Sequence, residues 1–126
     1  TFIGGSQFEA GLSLVIDPSN NAYITGMSDS LDFPVTLEEG GLPPSGREDV
    51  INLKLNFDGS ELIYSSLVGG DRRDEGWCIV LDQLLNPVIT GKTYDGVIID
   101  FPTTPGAYDN FHNGEWDVFV FKDLVP

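Results

Sequence analysis

The sequence predicts an all-β fold, and three observations carry that reading. Gly and Pro together supply 23 of the 126 residues, about 18% against roughly 12% for an average protein, which implies many turns and hence many short strands. The apolar runs are short and stop at turn-forming residues such as Asp17 and Asp82. No stretch carries a helical period with capping residues at its ends. At 126 residues and 40% hydrophobic, the chain has the length of one domain and enough apolar side chains for a core.

An internal repeat organises the strands. Gly4-Gly5 recurs as Gly69-Gly70, Gly11 as Gly76, Asp17 as Asp82 and Thr25-Gly26 as Thr90-Gly91, all at an offset of 65 residues. Further on the offset is 68: Asp32-Phe33-Pro34 returns as Asp100-Phe101-Pro102, Asp49-Val50 as Asp117-Val118 and Lys54 as Lys122. One three-residue insertion near residues 94–99 accounts for the change. Matches this numerous, kept in order, mark two copies of one structural unit.

Taken in order, residues 12–16 form a first strand, apolar apart from Ser13, and residues 77–81 are its counterpart. Apolar side chains on both sides suit a strand buried on two faces. The turns Asp17-Pro18-Ser19-Asn20-Asn21 and Asp82-Gln83-Leu84-Leu85-Asn86 follow. The first is rich in residues that accept turn geometry; the Leu pair of the second suits an exposed contact. Second strands span 22–25 and 87–90, and third strands span 50–55 and 118–122. A fourth, 62–68, follows a hairpin turn whose Asp58-Gly59 pair favours tight reversal. Loops of 22 and 25 residues, 27–48 and 92–116, join second strands to third. Phe33 and Phe101 are expected to anchor these loops to their own units.

Four antiparallel strands in a repeat of this length describe a β-propeller blade better than a sandwich. The first blade takes residues 1–68, with a leading partial strand, and the second takes residues 69–126, without its fourth strand. The predicted architecture is therefore two four-stranded antiparallel units, in an incomplete ring. Residues 1–5 align with the end of a fourth strand, and the edge at residues 118–122 is expected to be completed by another strand. The partners so implied are further blades, from the same longer chain or from identical copies. Leu124-Val125-Pro126 matches the stem of a protease site used in expression tags.

Several strings resemble the bacterial and archaeal SBBP β-propeller repeat. They are Gly69-Gly70, Asp74-Glu75-Gly76, Ile79-Val80-Leu81-Asp82, Thr90-Gly91, Asp117-Val118-Phe119-Val120 and the longer Asp100-Phe101-Pro102-Thr103-Thr104-Pro105-Gly106-Ala107-Tyr108. The first unit matches through Gly4-Gly5, Val15-Ile16-Asp17, Asn21-Ala22-Tyr23-Ile24-Thr25-Gly26, Asp32-Phe33-Pro34 and Leu53-Lys54-Leu55. It departs at residues 35–41, where Pro-Gly-Ala-Tyr is lost. The resemblance covers nearly the whole chain. It implies an extracellular or cell-surface setting, with no catalytic residue and no defined ligand.

Composition narrows the partners. Acidic residues outnumber basic ones 20 to 6, for a net charge of −14. A surface this negative repels phosphate backbones and anionic lipid, which argues against nucleic acid and membrane surfaces. No apolar run reaches the roughly 18 residues of a membrane span, and no segment resembles a signal peptide. The single cysteine, Cys78, excludes an internal disulfide and a cysteine metal cluster; its strand position suits packing. His112, the one histidine, lies in a Gly/Asn-rich loop and reads as an exposed residue, a poor base for nucleophilic catalysis.

Glu9, Asp29, Glu38, Glu39, Glu48, Asp71, Asp74, Glu75, Asp95, Asp109 and Glu115 gather toward the long-loop face. A glycosidase needs two carboxylates a few ångströms apart, yet with so many acids some pairs meet by composition alone. Solvated surface charge is the simpler reading. No cofactor is expected; Ca2+ is the next alternative for these oxygen ligands, although no Asp-x-Asp-x-Asp-Gly loop occurs. Arg72-Arg73 is expected to pair with its flanking acids. Tyr94, Tyr108, Phe111 and Trp116 fall in the second long loop and are the candidate ligand-binding residues, as aromatics able to stack on sugar rings. Tyr108 also belongs to the repeat-like string, where its alternative task is to pin the loop. The expected function is a non-catalytic extracellular scaffold or interaction module, with a glycan or surface protein as a further partner. A carbohydrate-binding or carbohydrate-processing propeller using the long-loop face is the alternative.

Overall fold

The computed structural model describes residues 1–36, 47–94 and 101–123. Glu38, Glu39, Asp95, Asp100, Leu124, Val125 and Pro126 lie outside them, as does most of the segment assigned to the insertion. Among the described residues there are seven strands: β1 Glu9–Ile16, β2 Ala22–Ser28, β3 Asp49–Leu55, β4 Leu62–Val68, β5 Asp74–Leu81, β6 Pro87–Tyr94 and β7 Trp116–Lys122. They form two antiparallel sheets, β1-β2-β3-β4 and β5-β6-β7, each in sequence order. Among the described residues there is no helix.

Each expected strand exists, but six are longer than their apolar runs, β3 by Asp49 alone. β1 and β5 begin three residues early, and β2 and β6 continue past Gly26 and Gly91; β7 gains Trp116 and Asp117. The ladder survives these glycines through matching irregularities, between Gly11 and Ser13 in one sheet and between Gly76 and Cys78 in the other. A bulge inserts an extra residue and brings the two backbones close. A Cβ at Gly26 would sit 1.8 Å from the Ala10 carbonyl oxygen, and one at Gly91 would sit 1.8 Å from that of Glu75. The repeated Thr-Gly pair is thus a packing requirement of the bulge.

The turns after β1 and β5 are built alike. Asp17 Oδ1 accepts from the Ser19 and Asn21 amides at 2.9 and 3.0 Å. Asp82 Oδ1 accepts from Leu84 and Asn86 at 2.8 and 2.9 Å. An aspartate closing its own turn in this way substitutes for a backbone ladder. Both turns need one residue in the left-handed region: Asn20 and Leu85 each have φ 64°. Asn accepts that conformation readily and Leu does not. The Leu84 and Leu85 side chains are exposed, as the sequence suggests.

Two apolar clusters hold the fold. Tyr23, Val50, Tyr64 and Val68 of the first sheet meet Ile79, Ile89, Phe101 and Phe119 of the second. On the other face of the first sheet, Phe33 packs with Ile51, Leu53, Leu55 and Leu67. Phe33 and Phe101 are both buried, and Phe101 stacks on Phe119 with centroids 4.3 Å apart. The loops are therefore anchored to their own sheets. Two expectations are corrected. β1 and β5 are edge strands, and Leu14, Ile16 and Val80 are largely exposed, so neither strand is buried on both faces. Cys78 is likewise exposed and fills no core position.

Truncating Phe33 or Phe101 to Ala should cost about 3–5 kcal/mol in urea unfolding, as for buried aromatics generally; a loss below about 1 kcal/mol would contradict the anchoring role. Leu85→Asn should raise stability by about 1 kcal/mol, because it relieves an unfavourable left-handed residue. No gain in melting temperature would count against that account.

Candidate functional site

The polar side chains shared by the two units converge on the ends of the strands. Glu9 and Asp74 open β1 and β5, and each accepts from the second glycine of its Gly-Gly pair. Gly5 N donates to Glu9 Oε1 at 3.2 Å, and Gly70 N donates to Asp74 Oδ2 at 2.8 Å. Ser28 Oγ donates to Glu9 at 3.1 Å, and the Ser30 hydroxyl donates to the same oxygen. In the second unit Thr93 stands where Ser28 stands in the first, with its hydroxyl beside Asp74.

The second cluster is the more enclosed. Asp74 is 1% exposed, and Asp49 at the start of β3 is also buried. A Cβ on Gly69 would lie 2.4 Å from Asp49 Oδ1 and 2.6 Å from Asp74 Oδ2, so the two carboxyls flank that glycine. Burial pushes Asp74 up to about 6, against the opposing pull of the Thr93 hydroxyl, the Gly70 amide and nearby His112. His112 is not the exposed loop residue expected: its side chain is almost covered. Nε2 lies 3.0 Å from the Thr93 carbonyl oxygen and Nδ1 lies 3.3 Å from Asp117 Oδ2. The imidazole thereby ties the second long loop to β6 and β7.

A carboxyl that titrates near 6 is a common sign of acid–base chemistry. The repeat also gives this carboxyl a structural task, because Glu9 makes the same contact to Gly5 on a more open surface. The shared task is to hold the Gly-Gly bend. Asp74 is thus not the solvated surface charge the sequence suggests. The signal available was its register with Glu9, which spacing reveals only when the acids are compared across units. Asp17 and Asp82 are further structural acids. Burial opposes ionisation of Asp17, but hydrogen bonds from Asn21 and Ser19 and the Lys54 charge outweigh it and hold its carboxyl low. Lys122, with Asn86 and Leu84, holds that of Asp82 low. The Lys54–Asp17 and Lys122–Asp82 ion pairs span 3.6 and 2.6 Å. Arg73 Nε pairs with Glu48 of the preceding loop at 3.0 Å. Among the described residues no three His, Cys, Asp or Glu side chains are grouped to hold a metal.

The four candidate aromatics divide into two pairs. Tyr94 and Trp116 belong to strands, not to the loop: they are opposed in the β6–β7 ladder, with rings edge to face at 5.0 Å. Lys92 Nζ lies 3.9 Å from the Trp116 centroid and 5.7 Å from that of Trp77. Glu75 Oε2 pairs with Lys92 at 3.7 Å and accepts from Trp77 Nε1 at 2.9 Å. Trp77, expected only as a strand residue, therefore joins this exposed group. Tyr108 and Phe111 extend from the loop at 106% and 81% exposure. Tyr108 does not pin the loop; Phe101 and His112 do. No protein-family model matches the chain, and no curated protein matches it in sequence.

An unfolded aspartate titrates near 3.9. Raised to about 6 in the folded protein, Asp74 binds its proton more tightly there. Stability should therefore fall as pH rises from about 4 through 6 and level off above. Asp17 and Asp82, held low, act in the opposite direction and only below about pH 4. Asp74→Asn should flatten the decline between pH 4 and 6.5 by on the order of 2 kcal/mol. A slope equal to that of the wild type in urea titrations would refute this.

Proposed function

We propose that the chain is a non-catalytic β-propeller repeat segment of an extracellular or cell-surface protein, serving as a structural scaffold or interaction module. One observation carries the reading: the residues the two units share are spent on architecture. Asp17 and Asp82 close turns. Glu9 and Asp74 hold Gly-Gly bends. Thr25 and Thr90 donate to the Ile51 and Phe119 carbonyls of the next strand at 2.8 and 2.9 Å. Tyr108 and Phe111, outside these shared positions, stand on exposed surface, as expected where a common scaffold presents different contacts. The resemblance to the SBBP repeat supports both the blade assignment and the setting outside the cell.

The alternative, a carbohydrate-binding or carbohydrate-processing propeller, draws on the fully exposed Tyr108 and Phe111. A glycan screen paired with a hydrolysis assay separates the two. The scaffold reading expects no turnover, and any glycan bound should be released unchanged. Turnover abolished by Asp74→Asn or Glu75→Gln would overturn it in favour of the enzyme.

A further inference from the structure

The two sheets meet through opposite faces. Val15 and Val50 of the first sheet belong to the shared core with Ile79 and Leu81 of the second. When each residue is carried to its counterpart in the other unit, two more faces emerge. Val15 and Val50 become Val80 and Val118; Val50 is 0% exposed and Val118 is 78%. Ile79 and Leu81 become Leu14 and Ile16; Ile79 is 3% exposed and Leu14 is 54%. Part of each half is repeated, uncovered, on the far side of the other sheet, while the counterparts of Phe101 and Phe119, Phe33 and Ile51, are already covered within the Phe33 cluster.

Gly11 points the same way. At its counterpart Gly76, a Cβ would lie 2.2 Å from Thr25 Oγ1 and 2.9 Å from Val50 Cγ1, so the facing sheet demands glycine there. A Cβ on Gly11 would meet only Ile24 Cγ2, at an ordinary 3.6 Å, and Gly11 has no left-handed φ. Among the described residues nothing crowds Gly11. The counterparts of Thr25 and Val50, which would crowd it, are Thr90 and Val118 on the exposed face of the second sheet.

A polar pair supplies a third sign. Across the interior contact Asn52 Nδ2 donates to Asp123 Oδ2 at 2.7 Å. Their counterparts are Val120 and Leu55. Both members change from polar to apolar together: Val120 is exposed, and Leu55 lies at the margin of the Phe33 cluster, so a contact between the two outer faces would leave no polar group unpaired there. Ile3, the counterpart of Val68, packs against the Phe33 cluster as Val68 packs in the interior one. Residues 1–5 therefore lie where they would flank β7 of a docked chain, and among the described residues β7 pairs with β6 alone.

We infer that a second copy of this chain docks head to tail, its Val80, Val118 and Val120 face seated on the Gly11, Leu14 and Ile16 face of the first. The inference rests on the reading of the two units as successive blades. The contact joins different surfaces, so it propagates to a closed ring or an open filament.

Sedimentation velocity over a concentration series tests it. The wild type should pass from one-chain to multi-chain mass, more readily at higher salt, because screening relieves repulsion between copies of charge −14. Gly11→Val and Val118→Asp should each weaken association by roughly tenfold or more while keeping the wild-type circular dichroism. Mixed together, the two variants should form one-to-one pairs, since each keeps the face the other has lost. A wild type that stays monomeric, unimpaired association in either variant, or a mixture without pairs would overturn the inference. Gly76→Val distinguishes this from failure of the underlying reading. That change crowds the interior contact and should lower the melting temperature sharply. If it does so while the wild type remains monomeric, the blades stand and only the docking falls. If Gly76→Val melts like the wild type, the paired-blade reading itself fails.

Discussion

The close approach of β5 to the first sheet is the constraint on which the rest of the structure depends. β5 crosses β1, β2 and β3, and at Gly76 the backbone of one sheet reaches the Thr25 hydroxyl and the Val50 methyl of the other. Any side chain there would wedge the sheets apart and open the cluster of Tyr23, Val50, Ile79, Ile89 and Phe119. A core that small has few contacts to lose, and interiors tolerate little misfit. The bulge at Gly76 and the glycine at 91 let β5 bend into this contact without leaving its ladder.

Once the sheets are pressed together, polar groups at the strand ends must be satisfied inside them. Buried polar atoms without partners are costly, and the chain answers with short acidic side chains that receive backbone amides. Asp17 and Asp82 do so at one end, where lysines balance their charge. Glu9 and Asp74 do so at the other, where no lysine stands among the groups acting on Asp74 and the carboxyl titrates upward instead. The same residue type thus has opposite acid–base character at the two ends. Solvent access and a nearby cation decide which.

Strong acidity and exposed apolar faces coexist on this surface. The net charge of −14 favours solubility and opposes indiscriminate association. Val80, Val118 and Val120 nonetheless stand in the open beside Trp77 and Trp116. Single exposed apolar residues are ordinary, but a contiguous sheet face is a mark of interaction. Lys92, held between the two tryptophans and Glu75, sits within this face.

The all-β class, the two-unit repeat and the order of the strands were legible in the sequence, because turn residues and strand apolarity act over a few neighbours. The roles of Asp17 and Asp82 in their turns were legible for the same reason. Strand length was less so: Gly11, Gly26, Gly76 and Gly91 interrupt the apolar pattern, and only pairing across the bulge carries β1, β2, β5 and β6 through them. Burial could not be read from the strands alone. Leu14 and Ile79 are alike in chemistry and in place within the repeat, yet one is open and the other covered, because coverage belongs to the facing sheet. His112 and Asp74 show the same limit. Their meeting depends on a loop returning to β6 and β7 across 38 residues of chain, a distance over which composition and spacing carry no geometry and only tertiary packing decides.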